Sequence, residues 1–254
     1  NWSVDMKKFI QRVFNRQNDG DCGVLQKKSS HWSQFGALGL LIFIWLLMHI
    51  LSPHFGNRFN QINILRHASV LMVATAAQTF AVIAGGLNIA IGASAALAAV
   101  VSAAVALEMG TAAGYAAGII SGIATGMILG IAVGYFKVDS IIGSVGLMAI
   151  ARGLSFEITK GRPISGMPRS YSVIGMGHWG PVPIIVVVAL VSVLVVHGFL
   201  TYTTWGRNIY AVGVDEEAAR LAGIRVRFYK VLSQVMSVTL AAWAGVMLSS
   251  RVNS

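Results

Sequence analysis

From Ala68 to Leu107 the chain carries no Asp, Glu, Lys or Arg, and the same holds for Met109 to Phe136, Ser170 to Gly206 and Val231 to Ser250. One bilayer crossing needs only about 20 such residues, so these runs read as several membrane spans with no soluble domain left over. Composition agrees: 254 residues are 56% hydrophobic and 11% charged, against about 25% charged in a soluble domain. The fold class is all-α, a polytopic transmembrane bundle. A formal charge of +10 raises the question of nucleic acid, but no soluble basic fold exists to carry it. Basic residues at span ends are what membrane orientation requires. A single cysteine, Cys22, allows neither a disulfide framework nor a thiolate metal cluster within the chain.

The first segment, residues 1–34, is a basic tail with Lys7, Lys8, Arg12, Arg16, Lys27 and Lys28 among polar residues. It reads as a solvated cytoplasmic tail, or as a contact for anionic headgroups. Residues 35–254 form the transmembrane domain. Its first span is Phe35 to Leu51; the long basic region before it and the Ser52-Pro53 pair after it disfavour a cleaved signal peptide. His49 near its end is expected to be an interfacial or packed side chain rather than a ligand. The next run, from about Ile64 to Leu107, is long enough for two crossings, and its break falls at Gly85-Gly86-Leu87-Asn88. Irregular backbone at membrane depth is tolerated mainly beside a cavity or within protein. Asn88, Gln78, Gly85 and Gly86 are therefore candidates for a solute path, while a turn near the membrane surface with Asn88 as a cap fits equally well.

Glycine then recurs at every fourth position from Gly110 through Gly114, Gly118, Gly122, Gly126, Gly130 and Gly134. Small residues at this spacing let helices approach closely. Four residues advance a helix by about 400°, so the row drifts by about 40° per step and must touch more than one neighbour. Lys137 and Asp139 mark the next boundary, and Ser140 to Thr159 forms a weaker span carrying Arg152 and Glu157. Arg152 is a candidate for the translocation path, against snorkelling or pairing with Glu157. A polar loop with Lys160, Arg162, Pro163 and Arg169 leads to the span Pro183 to Thr203, whose His197 is expected to be hydrogen-bonded within the bundle.

Between that span and the last apolar run lies a charged island, residues 204–230, with the sequence WGRNIYAVGVDEEAARLAGIRVRFYK from Trp205 to Lys230. Val214, Ala218, Leu221 and Ala222 share one side of a short helix there, and Glu216, Glu217 and Arg220 another. Asp215 is the expected N-cap and Gly223 the left-handed stop. Glu216 and Arg220 are expected to pair at i, i+4, which contributes only about 0.2–0.5 kcal/mol. A helix this short needs a surface: its own protein, or a partner. Six crossings precede the island, so it shares a face with the tail and Lys137, and Arg207, Arg220, Arg225, Arg227 and Lys230 add to a basic excess that marks the cytoplasm. Val231 to Ser250 is a seventh crossing.

The runs GGLNIAIG (Gly85 to Gly92), GLMAIARGLSFEITKGRPI (Gly146 to Ile164), WGRNIYAVGVDEEAARLAGI and VMLSSRVNS, in that order, resemble the permease subunits of bacterial ABC importers for ribose and related monosaccharides. The likeness covers most of the chain from about residue 60 onward. It implies a multi-pass inner-membrane subunit with a cytoplasmic N-terminus and a fold like the vitamin B12 importer class. Its partners would be a second permease copy or homologue, two cytoplasmic ATPases that hold ATP and Mg, and a periplasmic sugar-binding protein. It further implies that Asp215, Glu216, Glu217, Ala218, Ala219, Arg220, Leu221, Ala222, Gly223 and Ile224 form the coupling helix seated in the ATPase. Lys160, Arg162 and Arg169 would lie on the loop that meets the binding protein. The family usually carries Asp where Asn88 stands, and it continues for further membrane segments beyond Ser254. With no initial Met, the chain is expected to be a fragment or truncated product lacking C-terminal helices.

The sequence has no G-x-x-x-x-G-K-[ST] phosphate loop, so it is read as a transport subunit that binds no cofactor. The main rival is an ion-coupled secondary transporter or channel. Proton-coupled carriers usually need carboxylates inside the membrane, and Glu108, Asp139 and Glu157 fall near span ends. An intramembrane enzyme is disfavoured by the lack of H-E-x-x-H and G-x-S-x-G.

Overall fold

The computed structural model describes residues 31–52, 55–180 and 182–252, so the basic tail before residue 31, with Cys22, lies outside the described residues. Contacts divide the chain into two units, residues 1–60 and 61–254. In the first, α1 (His31–Leu51) holds the apolar run Gly39–Leu51. Near its end Trp45 stacks on His49 with ring centroids 5.5 Å apart and meets Phe55 edge-on. His49 thus stacks on an aromatic ring while remaining exposed.

The helices that follow are α2 (Arg58–Ile83), α3 (Ile91–Met109), α4 (Thr111–Gly134), α5 (Ser140–Thr159), the single turn α6 (Val173–Met176), α7 (Ile184–Tyr202), α8 (Thr204–Val214), α9 (Glu216–Leu221) and α10 (Val226–Val252). Five of them, α3, α4, α5, α7 and α10, are long and apolar enough to cross a membrane by length and composition. The middle of each of the seven runs read as spans from the sequence is helical, although α1 and α2 fall outside these five and the run ends at Ile89, Phe136 and Pro183 are not helical. One feature departs from a purely helical reading. In the loop after α5, a 3-10 turn (Arg169–Ser172) and α6 lead into a small antiparallel hairpin, β1 (His178–Trp179) with β2 (Val182–Pro183), in the register Trp179 opposite Val182.

The centre of the second unit is the α4–α10 pair, and the glycine row makes it possible. A Cβ on Gly114 would press on Ala106 and the Ser102 carbonyl of α3; on Gly118, on Val246 of α10 and Ser102 of α3; on Gly122, on Ala242; on Gly126, on the Val235 backbone at 3.0 Å; on Gly130 and Gly134, on Val231. The drift expected from four-residue spacing is therefore real: the row starts on α3 and crosses to α10. Gly245 of α10 in turn lies where any Cβ would overlap the Ala95 carbonyl of α3. Three helices meet backbone to backbone, which suits a bilayer, where helix association relies on van der Waals contact rather than on expulsion of water.

Around this centre, Val73 of α2 packs with Ile185 and Ala189 of α7 and with Ala244 and Met247 of α10. One level along, Phe80 of α2 meets Val196 and Leu200 of α7 and Ile209 of α8. α5 sits on α3 through Ala151, which clusters with Ala93 and Leu97.

Gly122→Val forces a branched side chain into the Ala242 contact, and overpacking of this kind costs about 1–3 kcal/mol. We expect a clear drop in apparent melting temperature of the detergent-purified protein. Gly198→Ala in α7, where a Cβ meets nothing within 4 Å, is expected to leave that temperature unchanged or raise it.

Candidate functional site: a charged cavity beneath a helix break

The charged island folds as two helices rather than one. Thr203 caps α8, its hydroxyl oxygen accepting from the Gly206 N–H at 3.0 Å, and α8 buries Gly206, Ile209 and Val212. Asp215 then takes an extended conformation that breaks the helix, and its carboxylate accepts from the N–H groups of Glu217 (2.9 Å) and Ala218 (3.1 Å). The expected N-cap is in place. At the other end Gly223 is left-handed (φ +81), with its N–H donating to the Arg220 carbonyl and the Ile224 N–H to Ala219, the pattern of a Schellman stop.

Other expectations for this helix need correction. Val214 ends α8 and does not share a face with Leu221, because the break at Asp215 separates them. Val214 and Leu221 are 87% and 81% exposed, whereas the side turned inward is Ala219, at 4%. Glu216 does not pair with Arg220. Arg220 turns to Glu217, and Glu216 is taken by Lys230 of α10. The Glu217–Arg220 pair is well exposed on both sides and contributes about 0–1 kcal/mol. α9 is thus held by its caps and by Lys230, and its outer side carries Leu221, uncovered among the described residues.

The elbow between α8 and α9 rests on the end of α2. At Gly213 a Cβ would overlap the Ile83 carbonyl oxygen, and Gly85, itself left-handed (φ +81), faces the Gly213 carbonyl. Only glycine at 213 permits this contact of main chains. The sequence reading missed Gly213, and no local pattern marks it.

The break after α2 occurs at the expected residues, 84–90. Two of its freed backbone groups are satisfied by a neighbouring helix and one by Asn88 itself. Ser140 at the start of α5 donates to the Leu87 carbonyl (3.1 Å), Ser144 accepts from the Ile89 N–H (3.1 Å), and Asn88 Oδ1 accepts from the Ala90 N–H (2.9 Å). Asn88 Nδ2 donates to Ser237 of α10 at 3.2 Å, and Asn88 is 4% exposed. From α10, Gln234 Nε2 donates to Ser140 Oγ at 2.9 Å. Ser140, Ser144, Gln234 and Ser237 were not singled out in the sequence; serine and glutamine in apolar helices were the available signal.

Below the break opens a cavity of about 950 Å³. Gly85, Gly86 and Leu87 line it from the break, Lys137, Asp139 and Ser140 from the α4–α5 turn, Glu216, Glu217 and Arg220 from α9, and Arg227, Lys230 and Gln234 from α10. The structure thus brings the coupling-helix candidates to the same cavity as Gly85 and Gly86. Asn88 lies behind this lining. Gln78 of α2 is part-buried, and its Oε1 meets no hydrogen-bond donor among the described residues. Arg152 is exposed on α5. It does not pair with Glu157, which lies five residues on and so about 140° round the helix; Glu157 pairs with Lys160, which turns back in a left-handed conformation.

At the opposite end of the unit, the loop of Arg162 and Arg169 is pinned by Tyr171. Its hydroxyl meets Ser102 (2.9 Å) and Ser249 (3.0 Å), and its carbonyl accepts from Tyr115 (2.6 Å) and Ser250. Lys160, Arg162 and Arg169 are all exposed there. Buried Arg66 donates to the Met176 carbonyl (3.4 Å) and meets His178 (3.0 Å), while Arg251 meets His67. Glu108, Asp139 and Glu157 are exposed, and among the described residues no group of three or more His, Cys, Asp or Glu could hold a metal ion.

Residues 60–254 match the family model described as branched-chain amino acid transport system / permease component. The ribose import permease protein of Bacillus subtilis is 31% identical over 235 residues, covering 91% of this chain and 71% of that protein. A probable ABC transporter permease protein of Escherichia coli is 30% identical over 253 residues, covering 99% of this chain and 71% of its own. The L-arabinose transport system permease protein of Escherichia coli is 34% identical over 118 residues, covering 46% of this chain and 36% of its own. No solved structure matches.

Asn88→Leu removes both bonds at the break and leaves a buried N–H without a partner, a loss of about 1–3 kcal/mol. Asn88→Asp retains both contacts, because the Ser237 hydroxyl can turn to donate. Thermal unfolding in detergent is expected to rank wild type and Asn88→Asp above Asn88→Leu.

Proposed function

The chain belongs to the branched-chain amino acid transport system / permease component family, and from that premise we propose that it passes a monosaccharide, ribose or a related sugar, through the membrane as the permease subunit of an ATP-driven importer. The relatives named for ribose and L-arabinose import support this substrate class. The chain is a transport subunit, and the energy comes from ATPase subunits that hold ATP and Mg. A second permease copy or homologue and a periplasmic sugar-binding protein complete the assembly in a bacterial inner membrane. The N-terminus and α9 lie on the cytoplasmic face, and the bundle follows the vitamin B12 importer class of fold.

The observation that carries the reading is α9: a six-residue helix, capped at both ends, with Leu221 81% exposed beside a cavity under a broken helix. A helix this short is not stable alone, and an exposed leucine among charges is what a partner's groove covers. On this reading the residues from Asp215 to Ile224 take up the ATPase's motion. The Gly213 seat and the Glu216–Lys230 pair pass it to α2 and α10, and the bundle switches by rigid-body movement of its interfaces. Gln78, Gly85, Gly86, Asn88 and Arg152 belong to the path side of the molecule, and Lys160, Arg162 and Arg169 to the side that meets the binding protein. Among the described residues no Asp or Glu is buried, so a proton relay through the packed interior finds no carboxylate there, which favours ATP over an ion gradient.

Leu221→Asp in the complete transporter is expected to reduce ATP-driven ribose uptake at least tenfold while ATP hydrolysis continues and membrane insertion is normal; unchanged uptake would remove α9 from the coupling role. A cysteine placed at Leu221, with Cys22 replaced, should react with a membrane-impermeant maleimide only from the cytoplasmic side. Labelling from outside intact cells would reverse the topology.

A further inference from the structure

Resting on the sugar-importer reading, we propose that Gln234 Oε1 is a hydrogen-bond acceptor for a hydroxyl of the transported solute, at the point where the cavity meets the broken helix. The hydrogen-bond directions at this point are fixed by counting protons. Ser140 has one hydroxyl proton, and it goes to the Leu87 carbonyl. Ser140 can therefore only accept from Gln234, which must present its Nε2 N–H to it. That orientation leaves Oε1 as the free end of the amide. Gln234 is 2% exposed, and its Oε1 meets no donor among the described residues.

A buried amide oxygen without a donor is costly, and most such atoms in proteins are satisfied. Oε1 is closed off in this state, but Gln234 lines the cavity, so a donor from there reaches it when the wall moves during transport. A hydroxyl that donates to Oε1 and can also accept suits this wall, where Lys137, Arg220 and Arg227 stand beside Asp139 and Glu217 and Lys230 is paired with Glu216. A polyhydroxylated, uncharged molecule has that chemistry. Gly86 keeps the neighbourhood tight: a Cβ there would lie 2.8 Å from Ser140 Cβ and Oγ and 3.6 Å from Gln234 Nε2. One face of the amide is thus held against the break while Oε1 stays unengaged. Discrimination by such a site is strong, because a solute lacking the matching hydroxyl leaves the acceptor unpaired again.

The test uses the complete transporter in proteoliposomes, with ribose and its 2-, 3- and 5-deoxy analogues as probes. In the wild type, ATP-driven uptake is expected to fall about tenfold for one analogue relative to ribose. Gln234→Met, which keeps the length and removes the acceptor, should lower ribose to the level of that analogue and leave the analogue unchanged. Should Gln234→Met fail to reach the membrane, Gln234→Asn, which draws the amide back by one methylene, is expected to weaken the same preference. An equal loss for all four probes would make Gln234 a purely structural residue, and unchanged preference would leave its oxygen to water; either result overturns the proposal. If the wild type takes up none of the probes with ATP, the sugar-importer reading itself fails, an outcome distinct from both.

Discussion

The contact on which the rest of this structure depends is the approach of α4 to α10 along a row of glycines. In hydrocarbon, expelling water cannot drive two helices together, so the attraction has to come from many short van der Waals contacts between surfaces that fit. Gly122, Gly126, Gly130 and Gly134 bring the backbone of α4 onto Ala242, Val235 and Val231, and Gly245 brings α10 onto Ala95 of α3. Once these three helices are fixed, α5 has α3 to rest on, and α2 and α7 have Ala244 and Met247 of α10. α10 also runs the length of the unit. Its first turns reach α9 through Lys230, and its last turns hold Tyr171 through Ser249 and Ser250.

A second requirement is imposed by the break between α2 and α3. Each freed backbone group must find a partner where water is scarce, and the partners come from helices distant in sequence, Ser140 and Ser144 on α5 with Ser237 and Gln234 behind them on α10. The break is therefore a junction of four helices rather than a loose turn. Asn88 accepts from the Ala90 N–H two residues on and is buried in the interior of the unit, behind the residues that line the cavity.

Much of this was legible in the sequence wherever a local rule governs. Charge-free runs located α3, α4, α7 and most of α10, the four-residue glycine spacing foretold contact with more than one neighbour, and Asp215 and Gly223 marked the ends of α9. Interactions between residues far apart were not legible. Nothing local shows that Glu216 prefers Lys230 to Arg220, that Ala219 rather than Val214 or Leu221 turns inward, or that Gly213 must be bare because it meets Ile83. The hairpin at His178 to Pro183 was also missed, since two-residue strands carry no period to detect. Residues that pair across the fold are set by packing, and a single sequence records packing only where spacing repeats.

The seat of Gly213 on Ile83 has a mechanical consequence. A side chain pushed by its neighbour can rotate to another rotamer and absorb the displacement, but main-chain atoms held in two helix ends cannot. A joint made of backbone alone has little backlash, so a small tilt of the elbow reaches the helix break nearly undiminished. The outer residues of α9 can then differ without loosening the joint beneath them.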